Sequence, residues 1–191
     1  MNEGYRLDAR GSSTFAPIPS TLRWITLGLV VMMTLGFIAS VSLWTFALAS
    51  SPRHPDDDLL GAGALALGGT VLLVYVQAAI GVAWMHKAWS WLPPQERYAR
   101  HWRTWITPAQ AAFFLLIPYF QYYWMFVVNC GLCDSFDRLR VRYGTREPAP
   151  KTLAIAASVF QIVLPVPVAA ICWLIFMSKI ERMSLEMTGR T

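Results

Sequence analysis

Long apolar stretches separated by short polar ones are the dominant pattern of this chain. Four stretches reach about 20 residues or more, the length at which a helix crosses a ~30 Å hydrocarbon core. With their flanking residues they predict helices over 22–49, 62–91, 108–132 and 152–178. The predicted fold class is therefore all-α, an integral membrane four-helix bundle.

The polar segment between the second and third stretches predicts a different element. Tyr98, Trp102 and Trp105 recur at i, i+4 and i+7, with arginines on the opposite side. An aromatic face opposite a basic face is typical of a helix lying in the headgroup plane. We predict an interfacial amphipathic helix over about 94–106, the alternative being an ordinary packed loop helix. The predicted headgroup contacts are Lys87, Arg97, Arg100, Arg103, Trp102 and Trp105.

Local signals set the boundaries of these elements. Residues 1–20 predict a flexible polar arm, 21–187 a single transmembrane domain and 188–191 a short tail. Thr107-Pro108-Ala109-Gln110 combines an N-cap, a proline at the first helical position and a glutamine at the third, which is a capping box. Prolines remove a backbone donor inside a helix, so kinks are predicted at Pro118, Pro165 and Pro167.

The distribution of Lys and Arg sets the orientation, because these residues collect on the cytoplasmic side. With a cytoplasmic N-terminus, four crossings place ten of the 16 basic residues inside and six outside, five of them after the third stretch. A re-entrant third segment would change this ratio to twelve against four. Pro118 and the neighbouring tyrosines favour the re-entrant alternative, whereas the apolar length of 113–128 favours a full crossing.

Composition narrows the class of protein further. Hydrophobic residues make up 55% of the chain and charged residues only 14%, against about 25% in soluble domains. The net charge of +5 comes from arginines beside the apolar stretches, which favours anionic lipid headgroups as partners and not nucleic acid.

One cysteine pair is a candidate for chemistry. Cys130 and Cys133 have the C-x-x-C spacing of redox disulfides, and four-helix membrane proteins with such a pair include quinone-linked disulfide-generating enzymes. Those enzymes use two pairs, whereas this chain has one further cysteine, Cys172. Two small side chains in a packed helix are the simpler interpretation. The three histidines lack metal-ligand spacing, so we predict neither a metal nor a cofactor.

Uncharged polar residues inside the stretches are the remaining candidates: Gln77, Gln121, Gln161 and Asn129. In a membrane such groups form hydrogen bonds between helices or line a pathway for a solute. Small residues four apart, such as Gly36 with Ser40 and Ala66 with Thr70, predict close helix packing within or between chains.

Two further patterns carry a family resemblance. Trp84-Met85-His86-Lys87-Ala88 resembles a W-x-x-[RK]-A signature, and Thr107–Ala111 followed by Ile117-Pro118 and Tyr123 resembles [TS]-P-x-x-A…[IV]-P-x-x-N-x-[YW]. Both belong to a bacterial domain-of-unknown-function family of small polytopic membrane proteins. Gln121 stands where that pattern has Asn, and the pattern does not include the two cysteines. The resemblance implies a bacterial inner-membrane location and no activity.

These observations lead to one leading prediction and two alternatives. We expect a multi-pass inner-membrane protein, not an enzyme, that serves as a scaffold, regulatory or accessory subunit. It would contact the bilayer and either further copies of itself or other membrane subunits. The first alternative is an oligomeric channel or small-solute transporter, and the second is a thiol–disulfide oxidoreductase using Cys130 and Cys133.

Overall fold

The computed structural model describes residues 18–50, 57–143, 147–163 and 168–188. Over these ranges the chain is almost entirely helical, which confirms the predicted all-α class. The helices are α1 (Thr21–Ser50), α2 (Asp57–Trp91), α3 (Pro108–Phe113), α4 (Phe120–Tyr143), α5 (Lys151–Val163) and α6 (Val168–Met187). Single 3-10 turns cover Pro94–Glu96, Arg100–Trp102 and Phe114–Leu116, and two short strands, β1 (Tyr98–Ala99) and β2 (Thr104–Trp105), pair antiparallel.

The chain divides into two compact units. The first, Trp24–Gly81, contains most of α1 and α2, and we call it the hairpin unit. The second combines Met1–Arg23 with Val82–Thr191, and we call its described residues the helical body.

Small residues bring α1 and α2 together in the hairpin unit. The Ser40 hydroxyl donates to the Gly63 carbonyl at 2.9 Å, and the Trp44 indole donates to the Leu60 carbonyl at 3.2 Å. A Cβ on Gly36 would lie 2.5 Å from the Thr70 hydroxyl. Because higher numbers on α1 meet lower numbers on α2, the two helices run antiparallel. The predicted close approach at Gly36, Ser40 and Thr70 is confirmed.

Most of the apolar surface of α1 and α2 faces outward. Both helices are long and apolar enough to cross a bilayer. In their most apolar 18-residue windows, only 22% and 6% of the residues are buried. The core helix of a water-soluble protein would be mostly buried, so this exposure is what a lipid-facing helix requires.

The helical body has its own core, and α4 lies at its centre. The last turns of α2 contribute Trp84 and Trp89, both completely buried. They join Leu132 and Phe136 of α4 and Phe176 of α6 in one apolar cluster. These two tryptophans therefore serve as core residues and not as part of a headgroup belt.

The predicted interfacial helix over 94–106 is wrong. This segment forms two 3-10 turns and the β1–β2 ribbon, with Tyr98 opposite Trp105 and Arg103 in the left-handed conformation at φ 49°. Arg138 of α4 accounts for the difference, since its Nη2 donates to the carbonyls of Glu96 and Tyr98 at 2.6 and 2.9 Å. An α-helix would use those carbonyls internally.

The third apolar stretch is a helical hairpin, and the predicted continuous helix over 108–132 is wrong. The capping box of Thr107 and Gln110 is confirmed, but α3 ends at Phe113 and Tyr119 adopts a positive φ of 62°. The Trp124 indole donates to the Gln110 carbonyl at 3.0 Å. Fourteen residues of continuous helix would separate these groups by about 21 Å, so the chain reverses at Ile117–Tyr119, beside Pro118.

The fourth stretch also reverses, so a continuous helix over 152–178 is wrong as well. The Trp173 indole donates to Gln161 Oε1 at 2.6 Å, although twelve residues of straight helix would span about 18 Å. Glu147 and Lys179 approach to 3.9 Å at the other end of the pair. The two helices α5 and α6 are therefore antiparallel. Residues 1–17, 51–56, 144–146, 164–167 and 189–191 lie outside the described residues, and so do the kinks predicted at Pro165 and Pro167.

The reversal at Ile117–Tyr119 lies at the same end of the helical body as the facing ends of α5 and α6. Asp137 accepts from the Ala149 amide, Asp134 from Lys151, and the Asn129 amide donates to Ser158. These pairs make α4 and α5 antiparallel, so the start of α4 lies level with the end of α5. We call the end formed by Phe113–Tyr123 and by the adjoining ends of α5 and α6 the apolar end, and the opposite end the charged end.

Replacing Gly63 by alanine should destabilise the hairpin unit by about 1–3 kcal/mol, because the added methyl overlaps the Trp44 indole. Gly68→Ala is the matched control, since nothing lies within 4 Å of its added methyl. The control should be neutral or slightly stabilising, because alanine favours helix over glycine. Thermal unfolding of the purified variants in detergent measures the difference. Equal stabilities of the two variants would contradict this packing.

Candidate functional site

A network of charged side chains organises the charged end of the body around Arg138. Its Nε donates to Glu96 Oε2 at 3.0 Å, and its Nη2 donates to the Ser135 hydroxyl at 2.9 Å as well as to two carbonyls. Ser135 in turn donates to the Glu96 carbonyl at 2.7 Å. The planar guanidinium is suited to this set of acceptors, which a lysine would not reproduce. The network fixes the 94–106 segment on α4.

A second group joins α4 to the start of α5. Lys151 Nζ donates to Asp134 Oδ1 at 2.8 Å, and His101 Nδ1 lies 3.9 Å from Asp134 Oδ2. The hydrogen bond to Asp134 raises the pKa of Lys151 despite its partial burial. One helical turn further along α4, Asp137 accepts from the Ala149 amide at 2.8 Å. Asp134 and Arg138 are four residues apart on α4, and each binds a partner on another element.

Glu181 is a buried carboxylate in the middle of the core. Its side chain is only 3% exposed and lies 3.2 Å from the Arg23 guanidinium. The Trp84 indole donates to its other oxygen at 3.3 Å. Burial raises the pKa of the Glu181 carboxyl, while Arg23 and Trp84 counteract that shift. Arg23 also donates to the Ser178 hydroxyl at 2.8 Å, so α6 is joined to the first turn of α1 and the last turns of α2.

The cysteine pair lies in a tightly packed part of α4. Cys130 and Cys133 are both buried and both free thiols. A Cβ on the intervening Gly131 would lie 3.0 Å from Ala99 Cβ and 3.4 Å from the Trp89 ring. The geometry therefore favours the packing interpretation, although the redox alternative stays untested.

Two of the four uncharged polar candidates form hydrogen bonds between helices. The Asn129 amide is buried and donates to the Ser158 hydroxyl at 3.0 Å, whereas Gln161 accepts from Trp173. Gln121 is half-buried in the first turn of α4, and Gln77 belongs to the hairpin unit. Asn129 and Gln161 thus have the helix-joining role, and the described residues give no support for a pathway along the glutamines.

The predicted headgroup residues fall into two groups. Lys87, Arg100, Arg103 and Trp105 are exposed, so headgroup contact stays a prediction for them. Arg97 turns inward, and its guanidinium donates to the carbonyls of Leu92 and Ser90 at the end of α2. Trp102 packs against the core cluster.

Sequence reasoning missed Glu181 and Arg23 as a pair. A signal for Glu181 was present, because it lies among Met177, Ile180 and Ser184, all of which turn out to be buried. Nothing local indicated its partner, which is 158 positions away along the chain.

The charged side chains around Arg138, Asp134 and Glu181 bind one another and backbone carbonyls. These bonds limit the chemistry that the side chains can perform. Within the described ranges, no three His, Cys, Asp or Glu side chains are grouped to hold a metal ion. The open depressions beside α6 are lined by Glu147, Lys179 and neighbouring residues, without a glutamine or cysteine. The charged networks position helices. On α2 the Ser90 hydroxyl lies 3.5 Å from His86 Nδ1, but it donates to the His86 carbonyl at 2.7 Å, which is a bond within the helix and not the activation of a nucleophile.

No protein-family model, curated protein or solved structure matches this chain. The resemblance to the bacterial family of polytopic membrane proteins therefore stays a prediction.

Removing Arg23 should leave Glu181 as an uncompensated buried charge. Breaking such a pair costs about 3–5 kcal/mol in a fully buried site, and we expect about 3 for Arg23→Met because Arg23 is 24% exposed. Glu181→Gln in the same background should recover part of that loss, since it removes the charge and keeps an acceptor for Trp84. Unfolding of the two single variants and the double variant in detergent gives the coupling energy. A double variant no more stable than Arg23→Met alone would contradict the pairing.

Proposed function

We propose that this chain is a non-enzymatic integral membrane protein that acts as a scaffold or accessory subunit. In this proposal α1 and α2 cross the bilayer, and the α3–α4 and α5–α6 hairpins enter one leaflet and return. The observation that carries it is the separation of charged from apolar residues between the two ends of the helical body.

This separation is sharp. Residues 104–133 and 152–178 contain no Asp, Glu, Lys or Arg. Exposed apolar side chains cover the apolar end, among them Phe113, Leu116, Ile162, Val163 and Ile171. An exposed apolar patch of this extent is typical of a membrane or protein contact. The charged end carries Arg138, Lys151 and their partners.

The dimensions of the hairpins favour entry into one leaflet. About 18 Å of α5 separates Lys151 from Val163, and about 17 Å of α6 separates Val168 from Lys179. The 3-10 turn and α3 together extend only about 15 Å. Each arm is far shorter than the ~30 Å hydrocarbon core and close to the thickness of one leaflet.

The basic residues support the same topology. With two crossings and two re-entrant hairpins, 15 of the 16 Lys and Arg residues fall on one side, and only Arg53 falls on the other. The positive-inside rule makes that side cytoplasmic. The four-crossing topology leaves six basic residues outside, and a single re-entrant segment leaves four.

The non-enzymatic role is supported by the structural partners of the charged side chains. The charged side chains of the body bind carbonyls and one another, and the two thiols are packed away from solvent. A bacterial inner-membrane location rests on the family resemblance alone. The long exposed faces of α1 and α2 suit contact with lipid or with other membrane helices.

Single cysteines in a cysteine-free variant should distinguish the topologies. Asp57→Cys should react with a membrane-impermeant maleimide in right-side-out vesicles. Arg100→Cys and Val141→Cys should react only after permeabilisation, because both exposed positions belong to the side of the basic residues. Reaction of Val141→Cys in sealed vesicles would restore the four-crossing topology. Reaction of all three positions would indicate leaky vesicles and require a sealed preparation.

The scaffold role predicts a stable membrane complex. Purification in mild detergent should recover the chain with a second membrane polypeptide, or as a homo-oligomer, in a fixed ratio. Gly63→Ala, which alters α1–α2 packing, should reduce that recovery more than Gly68→Ala. A chain that purifies only as single protomers at every detergent concentration would contradict this role.

A further inference from the structure

We propose that the helical body is a one-leaflet wedge, so that the protein favours membranes curved convexly toward its charged end. The inference rests on the proposed topology and adds a property to it. Its ligand is the acyl region of a single leaflet, not a particular lipid.

The helical body adds cross-section to one leaflet and not to the other. Four helical arms (α3, the start of α4, α5 and the start of α6) would occupy the leaflet next to the charged end. With a helix diameter of about 10 Å, they add roughly 300 Å² to that leaflet. The same arms end before the opposite leaflet, and helices that cross completely add equally to both. The imbalance expands one leaflet relative to the other.

A wedge acts only if its arms cannot splay apart under lateral pressure. The two arms of each hairpin are joined by a tryptophan, Trp124 to the Gln110 carbonyl and Trp173 to Gln161. The hairpins are joined to each other by the buried bond between Asn129 and Ser158 at 3.0 Å. Hydrogen bonds of this kind persist in lipid because no water competes for the same groups.

Aromatic packing stiffens the first hairpin further. Phe114 contacts Trp124 with ring centroids 4.9 Å apart and Phe120 at 5.8 Å. The Phe120 and Trp124 rings stack at 5.6 Å. These contacts fill the space between the 3-10 turn and α4, immediately next to the reversal.

Acyl chains fit the apolar end better than a protein partner does. Its exposed side chains are aliphatic and aromatic, and they include the phenols of Tyr119, Tyr122 and Tyr123. The first charges along α4, α5 and α6 are Asp134, Lys151 and Lys179, about one leaflet away along the helices. Protein interfaces place polar and charged groups around an apolar centre at much shorter range. The distance from the tips of the hairpins to the first charges therefore matches the thickness of one lipid leaflet.

The experiment compares vesicles of two sizes. The full chain is reconstituted in phosphatidylcholine–phosphatidylglycerol vesicles of roughly 30 and 200 nm diameter, with Arg100→Cys as the orientation label. We expect protein per lipid to be about threefold higher in the small vesicles. The label should face outward in most small vesicles, because the outer leaflet is the convex one. Equal density and equal orientation in both sizes would overturn the wedge.

Two valine variants isolate the contribution of the apolar end. Val163→Asp places a carboxylate at the tip of α5, where the side chain is 65% exposed and packs against little. It should abolish the size preference, while α1 and α2 keep the chain in carbonate-washed membranes. Val141→Asp is the matched control, because Val141 is 83% exposed at the charged end, and it should keep the preference. Loss of the preference in both variants would overturn the assignment.

The outcomes separate this inference from the proposed function. If the topology is wrong, Arg100→Cys and Val141→Cys fall on different sides of the vesicle or on the side of Asp57→Cys. If only the wedge is wrong, the topology stands and the density of protein per lipid is the same in both vesicle sizes.

Should Val163→Asp fail to fold, Leu116→Asp tests the other hairpin. Should either variant turn an oligomer into protomers without affecting the size preference, the apolar end is an interface between copies and the wedge is overturned.

Discussion

The positions of the charged side chains order the helical body from end to end. In the proposed topology this order follows from the cost of a charge at the centre of a membrane helix, roughly 2.5–3.5 kcal/mol. Lys151 begins α5 and Lys179 lies late in α6, so both hairpin arms are uncharged between those positions. In α4 the first charge is Asp134, which binds Lys151 directly. Each of α4, α5 and α6 therefore has an uncharged end and a charged end. Because neighbouring helices pack antiparallel, the three charged ends lie together.

The α-helical class and two of the helices were predictable from the sequence because their signals are local. An apolar run long enough to cross a bilayer gave the bounds of α1 to within one residue and the end of α2 at Trp91. The capping box at Thr107 was likewise predictable, since all its atoms lie within four residues. The close approach of Gly36, Ser40 and Thr70 followed from small residues spaced one turn apart.

The structure of the 94–106 segment, the reversal beside Pro118 and the Glu181–Arg23 pair depend on contacts between distant residues. The periodicity of the sequence does not reveal such contacts. An aromatic face opposite a basic face over 97–105 suits a helix, but Arg138, 40 positions from Tyr98, binds the carbonyls that this helix would need. Pro118 is compatible with a kink or with a reversal, and the bond between Gln110 and Trp124 decides for reversal. Arg100 and Arg103 are exposed, and their predicted headgroup contact stays a prediction. The Glu181–Arg23 pair was not predictable from the sequence.

Hydrogen bonds from tryptophan side chains join helices that the sequence pattern alone would leave as one continuous helix. The indole N–H of tryptophan needs an acceptor when it is removed from water, and the large ring brings that donor across the gap between two helices. Trp124, Trp173 and Trp84 each donate to an acceptor on another element, at Gln110, Gln161 and Glu181. The first two bonds close the hairpins at the apolar end, and the third joins α2 to α6. In the proposed topology, short arms that lie side by side within lipid gain from this pairing, because the same residue supplies both the apolar surface and the directional bond.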